Sequence, residues 1–311
     1  GYNKNYNTNV TESEMTNDFL FSSIDFINEK GLMTNYELLL KNSNTYANNS
    51  TNFEENSNYN LFGTIKLDLG LPLKRRFEDY TNFLKPVLSL RYSPNGNNDI
   101  SNKNILLNYD NVFSFNRIGS SNQVEGGDAI SMGLEFQKVN DEGINKVDFK
   151  IANVLKSDEN IKLPSKSKLN KTRSDIFGDL NYNINDNLDI GYLFSYDRDL
   201  EYSNLDQINL QYEVNNFLTN FSYYTEDNDF DPKESIKNNS SIFLDDENKL
   251  SFEITKDLKE DFTQYYNLIY AYETDCISIN LNYNKSFFRD GNIKPNESLS
   301  FLIKIIPFTE I

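Results

Sequence analysis

Asp227, Asp229 and Asp231 place a carboxylate at every second position, as the opening of a calcium-binding loop does. Pro232 stands where that loop requires Gly, and no Glu closes it at the required distance. An EF-hand is therefore rejected, and weak divalent binding is the most the spacing allows. Asp245 and Asp246 form an acidic pair that could serve acid–base chemistry. No nucleophile or metal set accompanies them, so they read as solvated turn residues. The chain has no His, which removes His-dependent triads, imidazole metal ligands and the commonest general base. It has one Cys, Cys276, so no disulfide can form within it. Lys156, Lys162, Lys166, Lys168, Lys171 and Arg173 make one segment basic. Such a segment could hold phosphate oxygens, or could be an ordinary solvated loop. The residues point to no enzyme and to no cofactor.

Composition narrows the class. The chain has 311 residues, with Lys+Arg 30 against Asp+Glu 47 and a net charge of -17. A nucleic-acid binder needs clustered cations to neutralise phosphates, so that class is disfavoured. Hydrophobic residues are only 38% of the chain, yet aromatics reach 14%, which fits simple disorder badly. No run of about 18 apolar residues offers a transmembrane helix.

The elements that must position these residues alternate with period two. Ile130, Met132, Leu134 and Phe136 oppose Ser131, Gly133, Glu135 and Gln137. Ile208, Leu210, Tyr212 and Val214 oppose Gln207, Asn209, Gln211 and Glu213. Ile277, Ile279, Leu281 and Tyr283 oppose Ser278, Asn280, Asn282 and Asn284. The pattern predicts about fifteen strands. They lie near 18–28, 32–43, 59–70, 85–92, 128–138, 146–155, 174–184, 187–198, 205–214, 217–225, 239–244, 248–257, 262–272, 276–287 and 297–306. Most approach the roughly 9–11 residues that a tilted strand needs to cross a bilayer.

The connections are segregated by length. Short turns at 29–31, 141–143, 185–186, 215–216 and 273–275 alternate with long polar segments near 44–58, 93–127, 156–173 and 226–238. Short periplasmic turns and long external loops are the habit of outer-membrane barrels. A connection near 71–84 breaks the alternation. The fold class expected is all-β, an antiparallel transmembrane β-barrel. A soluble sandwich would also alternate apolar and polar residues. An odd strand count, where bacterial barrels are even, predicts that this is an incomplete portion of a larger barrel.

Three stretches resemble the LPS-assembly protein family LptD. Residues 84–94, LKPVLSLRYSP, carry Pro86 entering a strand with Arg91 near its end. Residues 112–136 carry Asn116, Arg117, Glu125, Gly126 and Gly127 before a strand. Residues 272–305 carry Cys276 after a tight turn, an Arg289-Asp290 loop and a final strand. The resemblance implies a Gram-negative outer-membrane translocon that inserts lipopolysaccharide (LPS) into the outer leaflet. It implies that 1–311 is the C-terminal part of the barrel, with a periplasmic N-terminal domain and the first strands absent. The partners implied are LPS, an LptE-like lipoprotein plug, periplasmic bridge proteins reached through the missing domain, and outer-membrane lipid. The final strand, with Leu299, Phe301, Ile303 and Ile305, would form one side of a lateral gate. Cys276 becomes a disulfide candidate to the missing domain, although many members have two adjacent Cys where this chain has one. Arg117 would meet a carboxylate that orders its loop, or stand exposed. Lys162, Lys166, Lys168, Lys171 and Arg173 would meet LPS phosphates. The competing readings are a general porin or nutrient receptor barrel, and a soluble β-rich binding protein.

Overall fold

The computed structural model describes residues 10–50, 55–94, 96–103, 105–227, 232–287 and 296–305. They form one sheet of 17 strands. The strands are β1 Thr11–Ser22, β2 Phe26–Ile27, β3 Met33–Asn48, β4 Asn56–Gly70, β5 Leu73–Arg76, β6 Tyr80–Ser93, β7 Gly127–Asn140, β8 Asn145–Leu155, β9 Ile176–Asn185, β10 Leu188–Tyr196, β11 Ser203–Val214, β12 Phe217–Glu226, β13 Lys233–Phe243, β14 Asn248–Asp257, β15 Phe262–Glu273, β16 Ile277–Ser286 and β17 Asn296–Ile305. Among the described residues no helix is long and apolar enough to cross a membrane.

The chain divides into two compact units. The first comprises Gly1–Arg75, Phe83–Glu135 and Ile151–Phe177. The second comprises Arg76–Asn82, Phe136–Lys150 and Gly178–Ile311.

In the first unit β1 and β4 flank β3 in antiparallel register, and β4 pairs onward with β6. The β4–β6 ladder begins at Gly70 and Val87, one residue past Pro86. Proline has no N–H to give to a ladder, so its place just outside the pairing is physically required. In the second unit β10 through β17 form an unbroken antiparallel meander.

Several strands are longer than the alternation suggests. The expected strand at 18–28 is β1 and β2, and β1 begins at Thr11, because the polar residues Thr11–Asn17 pair in full register with Asn42–Asn48. The expected loop at 44–58 is mostly strand, since β3 runs to Asn48 and β4 begins at Asn56. The expected loop at 226–238 is likewise shortened by β13 from Lys233. Backbone pairing with a long neighbour carries such ends past the apolar residues. The 71–84 connection holds β5 and the start of β6, with Phe77 N–H donating to the Tyr80 carbonyl at 2.8 Å. Two short turns, 71–72 and 77–79, follow one another there, so the connection still departs from strict alternation.

Candidate functional site

Two regions could act on a ligand, one in each unit. The first is a set of loops held against strands. After β6 the chain runs through residues 94–126 before β7, and after β8 through 156–175 before β9. A single helical turn, Tyr109–Val112, is capped reciprocally by Asn108 and Asn111. The two segments bind each other by their backbones. Ile100 N–H donates to the Lys162 carbonyl at 2.9 Å, and Leu107 N–H to the Ser167 hydroxyl at 3.0 Å. Around these bonds Leu107, Val112, Leu163 and Leu169 pack with Ala152, Val154 and Phe177 from the strands into a dry cluster. Gly133 on β7 makes room for it. A Cβ there would lie 2.6 Å from the Phe113 ring and 3.0 Å from the Ile151 carbonyl.

A knot of charge closes the loops. Glu125 is 0% exposed. Arg117 grips it with both ends of its fork, Nε to Oε2 at 2.8 Å and Nη2 to Oε1 at 2.8 Å. Lys156 Nζ sits 2.7 Å from Oε1. Arg91 donates Nη2 to the Glu125 carbonyl and Nε to the Phe115 carbonyl. Arg117 also reaches the Ser131 hydroxyl at 3.1 Å, and Lys156 the Leu169 carbonyl at 2.6 Å. Strand β6, both loops and strand β7 thus meet at one carboxylate. Burial alone would push the Glu125 carboxyl up. The cations Arg117, Lys156 and Arg91 outweigh it and hold the group well below the usual carboxylate range. Burial lowers the Lys156 ammonium, opposed by Glu125.

The second region is the two-faced wall of the second unit. One face is apolar: Val214, Phe217, Ile242, Leu250, Tyr270, Leu281 and Phe301 stand opposite one another in turn across β11–β17. A neighbouring rung runs Tyr212, Thr219, Ser240, Phe252, Leu268, Tyr283 and Leu299. None of these residues is buried, and on β17 the exposure reaches 69% at Leu299 and 75% at Ile305. The other face is hydrophilic. Gly191, Asn209, Ser222 and Lys237 form one rung, and Asp189, Gln211, Asn220, Asn239 and Glu253 the next. Here the wall encloses a concavity of about 510 Å³.

The residues singled out by sequence fall unevenly between these regions. Arg91, Arg117 and Glu125 belong to the knot. Asn116 closes the turn beneath it, donating Nδ2 to the Ser120 carbonyl at 2.7 Å. Gly126 N–H donates to Asn97 Oδ1 at 3.4 Å, and Gly127 opens β7 at φ +89, a left-handed value that disfavours a side chain. Lys162, Lys171 and Arg173 are exposed, while Lys166 and Lys168 are half-buried. Lys171 pairs with Glu159 at 3.1 Å. Leu299, Phe301, Ile303 and Ile305 are exposed on β17, which pairs in register with β16. Cys276 heads β16, half-buried and without a disulfide. Asp229, Asp231, Arg289 and Asp290 lie outside the described residues. Lys156 entered the sequence reading only as one of a basic run. Its specific role carried no local signal, because Glu125 lies 31 residues away along the chain.

A family model described as LptD, LPS transport system D, matches residues 10–256. No curated protein matches the chain. Among solved structures, a mutant of the Rh. blastica porin is 10% identical at a TM-score of 0.37, covering 94% of this chain and 89% of its own. A mutant ferric enterobactin receptor from Pseudomonas aeruginosa is 9% identical at a TM-score of 0.42, covering 89% of this chain and 50% of its own. The siderophore receptor of Acinetobacter baumannii is 7% identical at a TM-score of 0.42, covering 94% of this chain and 56% of its own.

Proposed function

This chain belongs to the LptD family of the Gram-negative outer membrane, and on that premise we propose that its wall conducts LPS as a passive translocon rather than as an enzyme. The hydrophilic face lines a wet path for the sugar and phosphate head. The apolar face meets hydrocarbon, and the acyl chains leave sideways along β17 into the outer leaflet.

The observation that supports this reading most is the orientation of the wall. A soluble sheet turns its apolar face to a core and its polar face to water. Here the rung from Val214 to Phe301 is apolar and none of its residues is buried, as on a barrel strand in lipid. Asn, Gln and Ser on the opposite face cost little where water reaches them. Leu299, Phe301, Ile303 and Ile305 fit a strand beside which acyl chains pass, since a weakly paired edge opens at less cost.

In this reading the knotted loops stand on the external side. Lys162, Lys171 and Arg173 are exposed cations within reach of LPS phosphates there. An LptE-like lipoprotein would share the hydrophilic space, and periplasmic bridge proteins would deliver the cargo. Cys276 fits a disulfide to a periplasmic domain.

Depletion of the protein in cells should strip LPS from the surface within a few generations, measured by surface labelling with an LPS antibody. Undiminished surface LPS after depletion would overturn the proposal.

A further inference from the structure

The hydrophilic wall is not uniform. Around Gly191 it holds a recess whose chemistry is that of neutral amides. Gly191 has no side chain, and a Cβ there would lie 3.1 Å from Asn181 Oδ1 and 3.7 Å from Asn209 Cβ. The glycine therefore leaves the floor open between two flanking amides. One rung away, Gln211, Asn220 and Asn239 stand in register on consecutive strands β11, β12 and β13. All three are exposed, and among the described residues their side-chain amides make no hydrogen bond. Other amides are engaged: at the rim of the same recess Asn183 donates to Asp189 at 2.7 Å, and farther along the wall Asn267 donates to Glu253 at 3.0 Å.

The charge around the recess is unsuited to anions. Asp148 and Asp189 line it against a single cation, Lys237. That cation is already committed to Glu253 at 2.8 Å. Among the lining residues a phosphate would thus meet two carboxylates and one cation that is already paired. A sugar ring offers hydroxyls that both donate and accept, and a side-chain amide does the same. Three such amides spaced by the strand separation, about 4.8 Å, match hydroxyls spread along a short saccharide. The recess volume of about 510 Å³ lies in the range of small-ligand sites, about 300–1,000 Å³.

We infer that Gln211, Asn220 and Asn239, over the floor opened by Gly191, form a subsite for neutral sugars of the LPS saccharide. The inference rests on the transport reading and adds to it a holding point on the wall, selective for sugar over phosphate. Each amide contributes only a modest hydrogen bond, so the site holds weakly and releases, as passage requires.

The test uses the full-length protein in cells with a photo-cross-linking amino acid at Ser222, beside the recess, or at Ser300, on the hydrophilic face of β17. Three host backgrounds are compared: complete LPS core, core lacking its phosphates, and deep-rough LPS truncated after the innermost sugars. From Ser222, cross-linked LPS should be equal in the first two and about tenfold lower in the third. Combining Gln211→Ala with Asn239→Ala should lower it by about tenfold with complete core, while cross-linking from Ser300 stays unchanged. Equal cross-linking of deep-rough LPS overturns the sugar subsite, as does loss on removing phosphates. Cross-links from Ser222 to a protein alone also overturn it, in favour of a plug seated on the wall. LPS captured from Ser300 but not from Ser222 overturns only the subsite. No LPS from either position removes the transport reading itself.

Discussion

The two units treat the same problem, polar groups on one face of their strands, in opposite ways. In the first unit loops cover that face, and the charges at their centre are gathered on one carboxylate. Arg117, Lys156 and Arg91 converge on Glu125 in a dry setting. In the second unit the described residues leave the hydrophilic face of β10–β13 open. Its ion pairs are solvated, as with Lys237 and Glu253, whose side chains keep 50% and 19% exposure. Among the described residues the side-chain amides of Gln211, Asn220 and Asn239 have no hydrogen-bond partner. Water decides the difference. A carboxylate withdrawn from water must be surrounded by cations, whereas an amide beside water needs nothing from the protein. The first unit is tied together at its centre, and the second leaves polar groups to water.

The largest effect should come from Glu125→Gln. It strands three buried cations around a neutral amide, a loss of about 3–5 kcal/mol by analogy with broken buried pairs. The expected readout is rapid protease cleavage within 94–126 while β10–β17 stays resistant. Loops that remain protected would break the contrast between the units.

Acid should do to Glu125 progressively what the substitution does outright. Its folded pKa is depressed below the ordinary value of 4.5. The stability it contributes is therefore complete above that value and declines as pH falls below it toward the folded pKa. Hydrogen exchange of Leu107 and Ile118 amides should hold steady from neutral pH down to about 5 and rise only in stronger acid. Release between pH 6 and 7 would show that the carboxylate is not held as the geometry indicates.

Glu253→Gln should have the smallest effect. The pair with Lys237 is partly solvated and worth about 0–1 kcal/mol. Thermal unfolding of the purified protein should barely move, against a marked fall for Glu125→Gln. A comparable fall would mean that the open wall is as tightly built as the covered region.

The sequence carried the wall well. Alternation in Ile208–Val214 and Ile277–Tyr283 named the faces, and the register of β11, β12 and β16 keeps those residues on one side. Strand ends were harder to read. Thr11–Asn17 and Asn44–Asn48 have no apolar rhythm, and only pairing with each other makes them strand. The loops were less legible still. Leu107, Val112, Leu163 and Leu169 sit in segments that look polar and irregular, yet they form the best-buried cluster of the first unit.

What the chain determined by itself is the two-sided character of its strands, because side chains on a pleated backbone alternate whatever the neighbours are. The motif also set Arg117 and Glu125 eight residues apart. That Arg91 and Lys156 join them was decided only by the tertiary structure. A buried charge takes its partners from whatever the fold brings within about 4 Å, and distance along the chain does not enter that choice.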